Sequence, residues 1–431
     1  MSSGSTGDNV TRREFVRTTA AASASILAGP ALNSAWARGD DTLRVGLIGC
    51  GGRGTGAAAQ ALSADPGVVI WAMGDAFDDR LQTSLGNLRG HEASDRVQVS
   101  EARQFVGFDA YEKVIASDID VVILATPPHF RPAHIKAAVA ANVHVFTEKP
   151  MAVDAQGVRT VLASAADAKA KNLAIVSGFC WRYNAPERAT YARIHDGAIG
   201  DVASMHATYH TGPIGTHPRQ PEWSDMEWQL RNWHHFTWIS GDHLVEQACH
   251  SVDKINWAMN GVMPVKAVAL GGRGLRHLPE HGNSYDHFTV IYEYDNGVRA
   301  FLTCRQQANC LIDNSDYITG TKGQCVVNGW APRHDITGEN PWSYDGPRTN
   351  MYQVEHDELF ASIRAGKPIN DGEWMSNSTM MAVLGRMAAY TGQEITWDQA
   401  MQSQAVLGPS DYAFGELAVP PISRPGETPF V

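Results

Sequence analysis

Residues 44–54 read RVGLIGCGGRG, and the reading of this stretch decides the fold. Arg44–Gly49 is a short apolar run closed by glycine, the pattern of a buried strand. Gly49-Cys50-Gly51-Gly52-Arg53-Gly54 fits G-x-G-x-x-G, and the helix-forming AAAQALSA follows. Strand, glycine spacing and helix in this order are the context a dinucleotide-binding loop requires. Gly49 permits the tight turn, Gly51 lets backbone approach a pyrophosphate, and Gly54 allows close helix–strand packing. The free N–H groups of the helix start, with Gly52 and Arg53 in the same turn, offer donors to phosphate.

Outward from the loop, Val68–Met73 is a second apolar run ending at Gly74-Asp75. Asp75 lies 26 residues after Gly49, where a carboxylate accepts from ribose hydroxyls and repels a 2′-phosphate. NAD is therefore expected over NADP, with Arg80 able to soften the preference. Val121–Ala125 and Val143–Thr147 are further strand runs, closed by Thr126-Pro127-Pro128 and Glu148-Lys149-Pro150. Helical spacing over Pro132–Ala141 and Asp154–Lys171 alternates with them, and Ala174–Ser177 adds a strand. Alternation of this kind predicts βαβ units and a parallel sheet.

Beyond about Arg182 the texture changes. Val202–His210, Val265–Leu270, Phe288–Tyr294 and Val298–Gln306 alternate or are β-branched, and Asp295-Asn296-Gly297 is a hairpin turn signal. The expected fold is α/β: an N-terminal Rossmann domain over 38–178, then an α/β domain over 179–407 with an open, largely antiparallel sheet. Residues 212–240 form a long connection holding Trp223, Trp228, Trp233 and Trp238. Such a length is uncommon unless functional. Residues 408–431 are expected to run as an extended tail.

The 431 residues, 43% hydrophobic, leave room for two or three domains. Lys and Arg total 35 against 46 Asp and Glu, a net −11 that argues against a nucleic-acid partner. No apolar run reaches the ~20 residues of a membrane span. Six scattered Cys make neither a disulfide framework nor a metal knuckle. His217, His234, His235 and His243 lack a ligand spacing, so no metal is expected.

Residues 1–37 read as an address. Arg12-Arg13 and Phe15 precede a small-residue apolar stretch and Ala35-Trp36-Ala37, resembling a twin-arginine export signal with an A-x-A cleavage site. The expected location is periplasmic or otherwise exported.

GCGGRG, ATPPHFRPAH (125–134), HVFTEKP (144–150) and EQACHSVDKINW (246–257) together resemble the Gfo/Idh/MocA oxidoreductases. The resemblance runs from about Leu43 to Gln324. It implies NAD chemistry on a sugar or cyclitol hydroxyl and a homo-oligomer formed through the C-terminal sheet. It assigns Lys149 to cofactor and substrate contact and His250 to catalysis. It places Thr126, Pro127, His129 and Glu148 beside the nicotinamide. Glu246 stands where the family carries Asp. Trp181-Arg182-Tyr183-Asn184 resembles the segment entering the substrate site, so Arg182 and Tyr183 either hold sugar hydroxyls or pack the junction.

The residue types suit the chemistry. Oxidising a carbinol moves a hydride to nicotinamide and a proton to a base. His250 titrates in the right range, and Lys149 can stabilise an alkoxide. Helical spacing puts Glu246, His250 and Asp253 on one face at i, i+4 and i+7, with Asp253 a further substrate contact. The same residues serve an NAD-dependent glycosidase that oxidises, eliminates and returns the hydride.

Overall fold

The computed structural model describes residues 41–431, which form one compact unit. The twin-arginine leader lies outside the described residues. Two sheets organise the rest. The first is parallel: β1 (Leu43–Ile48), β2 (Val68–Asp75), β3 (Gln104–Val106), β4 (Val121–Leu124), β5 (His144–Thr147) and β6 (Ile175–Ser177), in the order β3-β2-β1-β4-β5-β6. Order reverses between β1 and β4, so their carboxyl ends open a crevice there. β4 is wholly apolar, and β4 and β5 are buried at every position because helices cover both faces.

The second sheet has nine strands. Its long members are β7 (Val202–Thr211), β8 (Lys266–Gly272), β9 (His287–Glu293), β10 (Arg299–Gln306), β11 (Ser315–Gly320), β12 (Gly323–Asn328) and β13 (Arg333–Gly338). Short β14 (Trp342–Ser343) and β15 (Ile395–Thr396) close the edges. β7 and β10 pair in parallel; the other pairs are antiparallel. Burial alternates along β9 and β10, the signature of a sheet with one covered face. The helix Gly372–Thr391 supplies the cover, carrying Met380, Met381, Val383 and Leu384 into a core shared with Val290 and Tyr292. At ~1.5–3 kcal/mol for each large side chain removed from water, this face dominates the second sheet's stability.

The chain leaves the first sheet after β6, but packing is not linear. The helix Met351–Arg364 returns to lie on Gly52–Ala64, the helix of the glycine loop. Residues 369–371 then bond to Ile175 and extend the first sheet beyond β6. The connection 212–240 is not structureless. It holds the helix Asp225–Arg231, a 3-10 turn at Trp233–His235 and a helical turn at Thr237–Ser240. The strands β11 to β14 and the helices after 350 lie beyond the elements that the sequence pattern predicts. The tail 408–431 has no helix or strand.

Candidate functional site

The site is built at the carboxyl edge of the parallel sheet. Gly49, at φ +94°, turns the chain out of β1, and a Cβ there would lie 2.5 Å from the Ala125 carbonyl carbon. Gly54 packs so closely that a Cβ would come within 1.9 Å of the Gly49 oxygen. Gly51 and Gly52 instead face open space, with nothing within 4 Å of a Cβ. The helix beginning at Gly52 has no side-chain cap. Its first N–H groups and this bare cradle fit a pyrophosphate.

Asp75, at the end of β2, accepts from the Cys50 N–H at 2.6 Å and the Phe77 N–H at 3.0 Å, and lines the same cleft. Burial raises its pKa. Thr126 and Pro127 line the cleft from the end of β4, and Glu148 and Lys149 from the end of β5. The cleft encloses about 760 Å³, enough for a cofactor together with a small polyol.

Arg53 lines the cleft, yet its charge is already engaged. Its guanidinium pairs with Glu148, donates to Glu355 at 2.9 Å and lies 4.7 Å over the Tyr352 ring. It locks the turn after β5 to the returning helix rather than offering a bare cation to phosphate.

Lys149, Glu246 and His250 meet in this cleft. The Lys149 ammonium donates to the Glu246 carbonyl at 2.5 Å and approaches Glu246 Oε1 at 3.3 Å. Burial lowers the Lys149 pKa, but the neighbouring carboxylates, Glu246 first and then Glu148, outweigh it and the net shift is upward. Glu246 answers in kind: burial raises its pKa, Lys149 lowers it, and the net shift is downward. His250 is 8% exposed and its Nδ1 is buried without a partner. Burial, then Lys149 and Lys254, push its pKa well down, so the imidazole is neutral and able to take a proton. Among the described residues no cluster of three or more His, Cys, Asp or Glu could hold a metal.

Three expectations need correction. Glu246, His250 and Asp253 do not share one helix. The helical turn His243–Glu246 ends before Gln247, and a separate helix starts at Cys249. That break lets Glu246 and His250 both reach the cleft, while Asp253 is turned into the interior. There it takes a bidentate pair from Arg182, both contacts 2.9 Å, and a hydroxyl from Ser378 at 2.7 Å. Arg182 is thereby held in packing between Trp257 and Trp374, and Tyr183 donates to buried Asp371 at 2.8 Å. None of the three lines the cleft. His129 lies outside it as well, bonded through Nε2 to Tyr412 at 2.7 Å and packed edge-on against Trp238. The C-terminal tail covers it.

The cleft also presents residues that motif reading passed over: Tyr209 from β7, Gln247 from the helix break, and Trp233 and His234 from the connection. For Trp233 and His234 the length and Trp content of that connection were the signal; Tyr209 and Gln247 had none.

A bare glycine-loop cradle, a carboxylate at the end of β2, and Lys149 with His250 in the same cleft are the parts an NAD-dependent oxidoreductase uses. The chain belongs to the Gfo/Idh/MocA family: residues 43–176 match its NAD-binding Rossmann domain and 188–326 its C-terminal domain. Inositol 2-dehydrogenase of Rhizobium meliloti (strain 1021) is 25% identical over 346 residues, covering 77% of this chain and 93% of that one. Among solved structures, levoglucosan dehydrogenase in complex with NADH and levoglucosan superposes with a TM-score of 0.65. It is 19% identical, with 83% and 99% of the two chains covered. Aldose-aldose oxidoreductase from Caulobacter crescentus also gives 0.65, at 18% identity over 82% and 99%. These structural likenesses establish the fold.

Proposed function

We propose that the protein oxidises a ring hydroxyl of a sugar or cyclitol, with NAD as the resident hydride carrier. The observation that carries this is the meeting of Lys149, Glu246 and His250 at the carboxyl edge of a nucleotide-binding sheet. The residues fit the dinucleotide. Gly51, Gly52 and the helix start would hold its phosphates, and Asp75 its adenosine ribose. When bound, NAD supplies hydride transfer. His250 takes the hydroxyl proton, and Lys149 stabilises the alkoxide before its electrons leave. Glu246 fixes the Lys149 ammonium and aligns neighbouring hydroxyls.

The reading extends to the setting. A protein exported by the twin-arginine leader works away from a free NAD pool, so the nucleotide stays bound and returns to its starting redox state in each cycle. The open face of the second sheet, with Val268, Leu270 and Tyr317 exposed, suits a homo-oligomer. NAD is preferred over NADP because of Asp75.

The test is to dialyse the purified protein, denature it and assay the supernatant for nucleotide. Dialysed protein is then incubated with a panel of polyols and glycosides and the products are identified by mass. Retained NAD(H) and a ketone or lactone product support the reading. A freed sugar with no net oxidation assigns the redox-neutral glycosidase instead. An empty protein that consumes added NAD stoichiometrically defeats the closed cycle.

A further inference from the structure

Four imidazoles line the cleft, those of His134, His217, His234 and His250, and the ring of His234 has no task in carbinol oxidation. His234 sits in the turn Trp233–His235, and that turn is held rigidly. The Asn232 side chain accepts from the His217 N–H at 2.7 Å and donates to the His217 carbonyl at 2.9 Å and the Trp228 carbonyl at 3.1 Å. On the far side His235 Nε2 reaches the Gly215 carbonyl at 3.3 Å. Trp233 stacks on the His234 ring, centroids 3.7 Å apart.

The ring so fixed lines the same cleft as Lys149, Glu246 and His250. Among the described residues it makes no hydrogen bond to protein. The other cleft imidazole in the Rossmann half, His134, is by contrast paired with Thr126 and stacked on Tyr111. His234 lies in electrostatic reach of Glu246, Lys149 and Arg276, and burial moves its pKa down, leaving a neutral ring. A rigid, unpaired, cleft-facing imidazole beside the reacting groups is what proton transfer to a ligand needs.

Resting on the proposed function, we infer that His234 is a second catalytic residue, a base for the C–H adjacent to the ring carbonyl once that carbonyl exists. The step needs no further oxidant. The α-proton passes to the His234 nitrogen. The C–H electron pair forms the enolate, with its charge on the carbonyl oxygen under the Lys149 ammonium. Return of the proton restores the ketone and exchanges the hydrogen with solvent. An oxygen substituent on the carbon next to the enolate can instead leave with its own C–O bonding pair and take a proton from water, while the former C–H pair becomes the new C=C bond. Substrates are thus cyclic polyols or glycosides bearing a hydrogen beside the oxidised position.

The experiment uses the full-length protein in D2O with two ring ketones, 2-keto-myo-inositol and methyl 3-ketoglucoside, and reads deuterium uptake by mass. Wild type should exchange at least one α-hydrogen ~10²-fold faster than buffer. H234N and H234Q should lower this by ~10²-fold, and free imidazole should restore part of it in H234G. In parallel, nucleotide reduction by the polyol panel is followed in all variants, and the ratio of exchange to reduction should fall at least about tenfold. Wild-type exchange no faster than buffer overturns the inference. So does equal loss of both rates, which makes His234 a packing residue. Failure of wild type to reduce nucleotide with any polyol strikes the proposed function instead, and the ketone exchange still decides the role of His234.

Discussion

The Lys149 ammonium is held 2.5 Å from the carbonyl oxygen of Glu246 and 3.3 Å from its carboxylate, joining the end of β5 to the helix break of the second sheet. This pairing keeps Lys149 protonated despite burial, a fixed positive charge beside the neutral His250 imidazole, which the proposed function makes the base. Glu246 in place of the family's Asp is one methylene longer, and both its carbonyl and its carboxylate converge on the same ammonium.

H250N and K149M should each cut kcat by ~10²-fold or more on the identified substrate. The pH profile separates their roles. Burial and the Lys149 charge depress the His250 pKa, so kcat/KM should stay level as pH falls through the ordinary imidazole value of about 6.5 and drop only below it. In K149M the acid limb should move up toward that value, because a repelling cation has gone. An acid limb that stays in place in K149M would remove Lys149 from the electrostatics of the base.

Asp75 receives two backbone N–H groups and faces the cleft from the end of β2. D75A removes the carboxylate that, on the proposed reading, opposes a 2′-phosphate. The NAD-to-NADP affinity ratio, measured by fluorescence titration after removal of bound nucleotide, should fall at least about tenfold, or ~1.4 kcal/mol. An unchanged ratio would show that Asp75 does not meet the ribose.

G54A forces a Cβ against the Gly49 carbonyl, and neither backbone group can yield cheaply. Overpacking of this kind costs ~1–3 kcal/mol. The variant should melt several degrees lower and bind NAD more weakly. The contrasting G51A, with open space at its Cβ, should keep wild-type stability while losing nucleotide affinity. Thermal melting with and without added NAD distinguishes the two.

Lys254 and Asp316 form an ion pair at 3.0 Å with both side chains 0% exposed, and Tyr191 donates to the same carboxylate at 3.1 Å. K254M strands a buried carboxylate and should cost ~3–5 kcal/mol in chemical denaturation. The double variant K254M/D316L should recover most of that loss, since an apolar pair of similar volume leaves no stranded charge. Additive losses in the double variant would contradict this account.

Features set by local chemistry were legible in the sequence. The glycine loop, Asp75 and Lys149 each follow a strand whose apolar run is short and unambiguous, so their place at the sheet edge follows from chain order. What escaped is fixed by distant contacts. The break at Gln247 and Ala248 leaves no Pro or Gly behind, and i, i+4, i+7 spacing therefore suggested one helical face for Glu246, His250 and Asp253. Arg182 found Asp253, 71 positions away, and so packs the interior rather than greeting a substrate. His129 was displaced from the cleft by Tyr412, 283 positions later in a tail that carries no pattern.

The contact between Arg53 and Glu355 has a bearing on biogenesis. The two residues are 302 positions apart, and the strand-like segment 369–371 that borders β6 is later still. The Arg53–Glu148 pair needs only β1 to β5, but its anchorage to Glu355 waits until the helix Met351–Arg364 has been made. An excised Rossmann segment ending at 178 would lack the returning helix and hold its dinucleotide poorly.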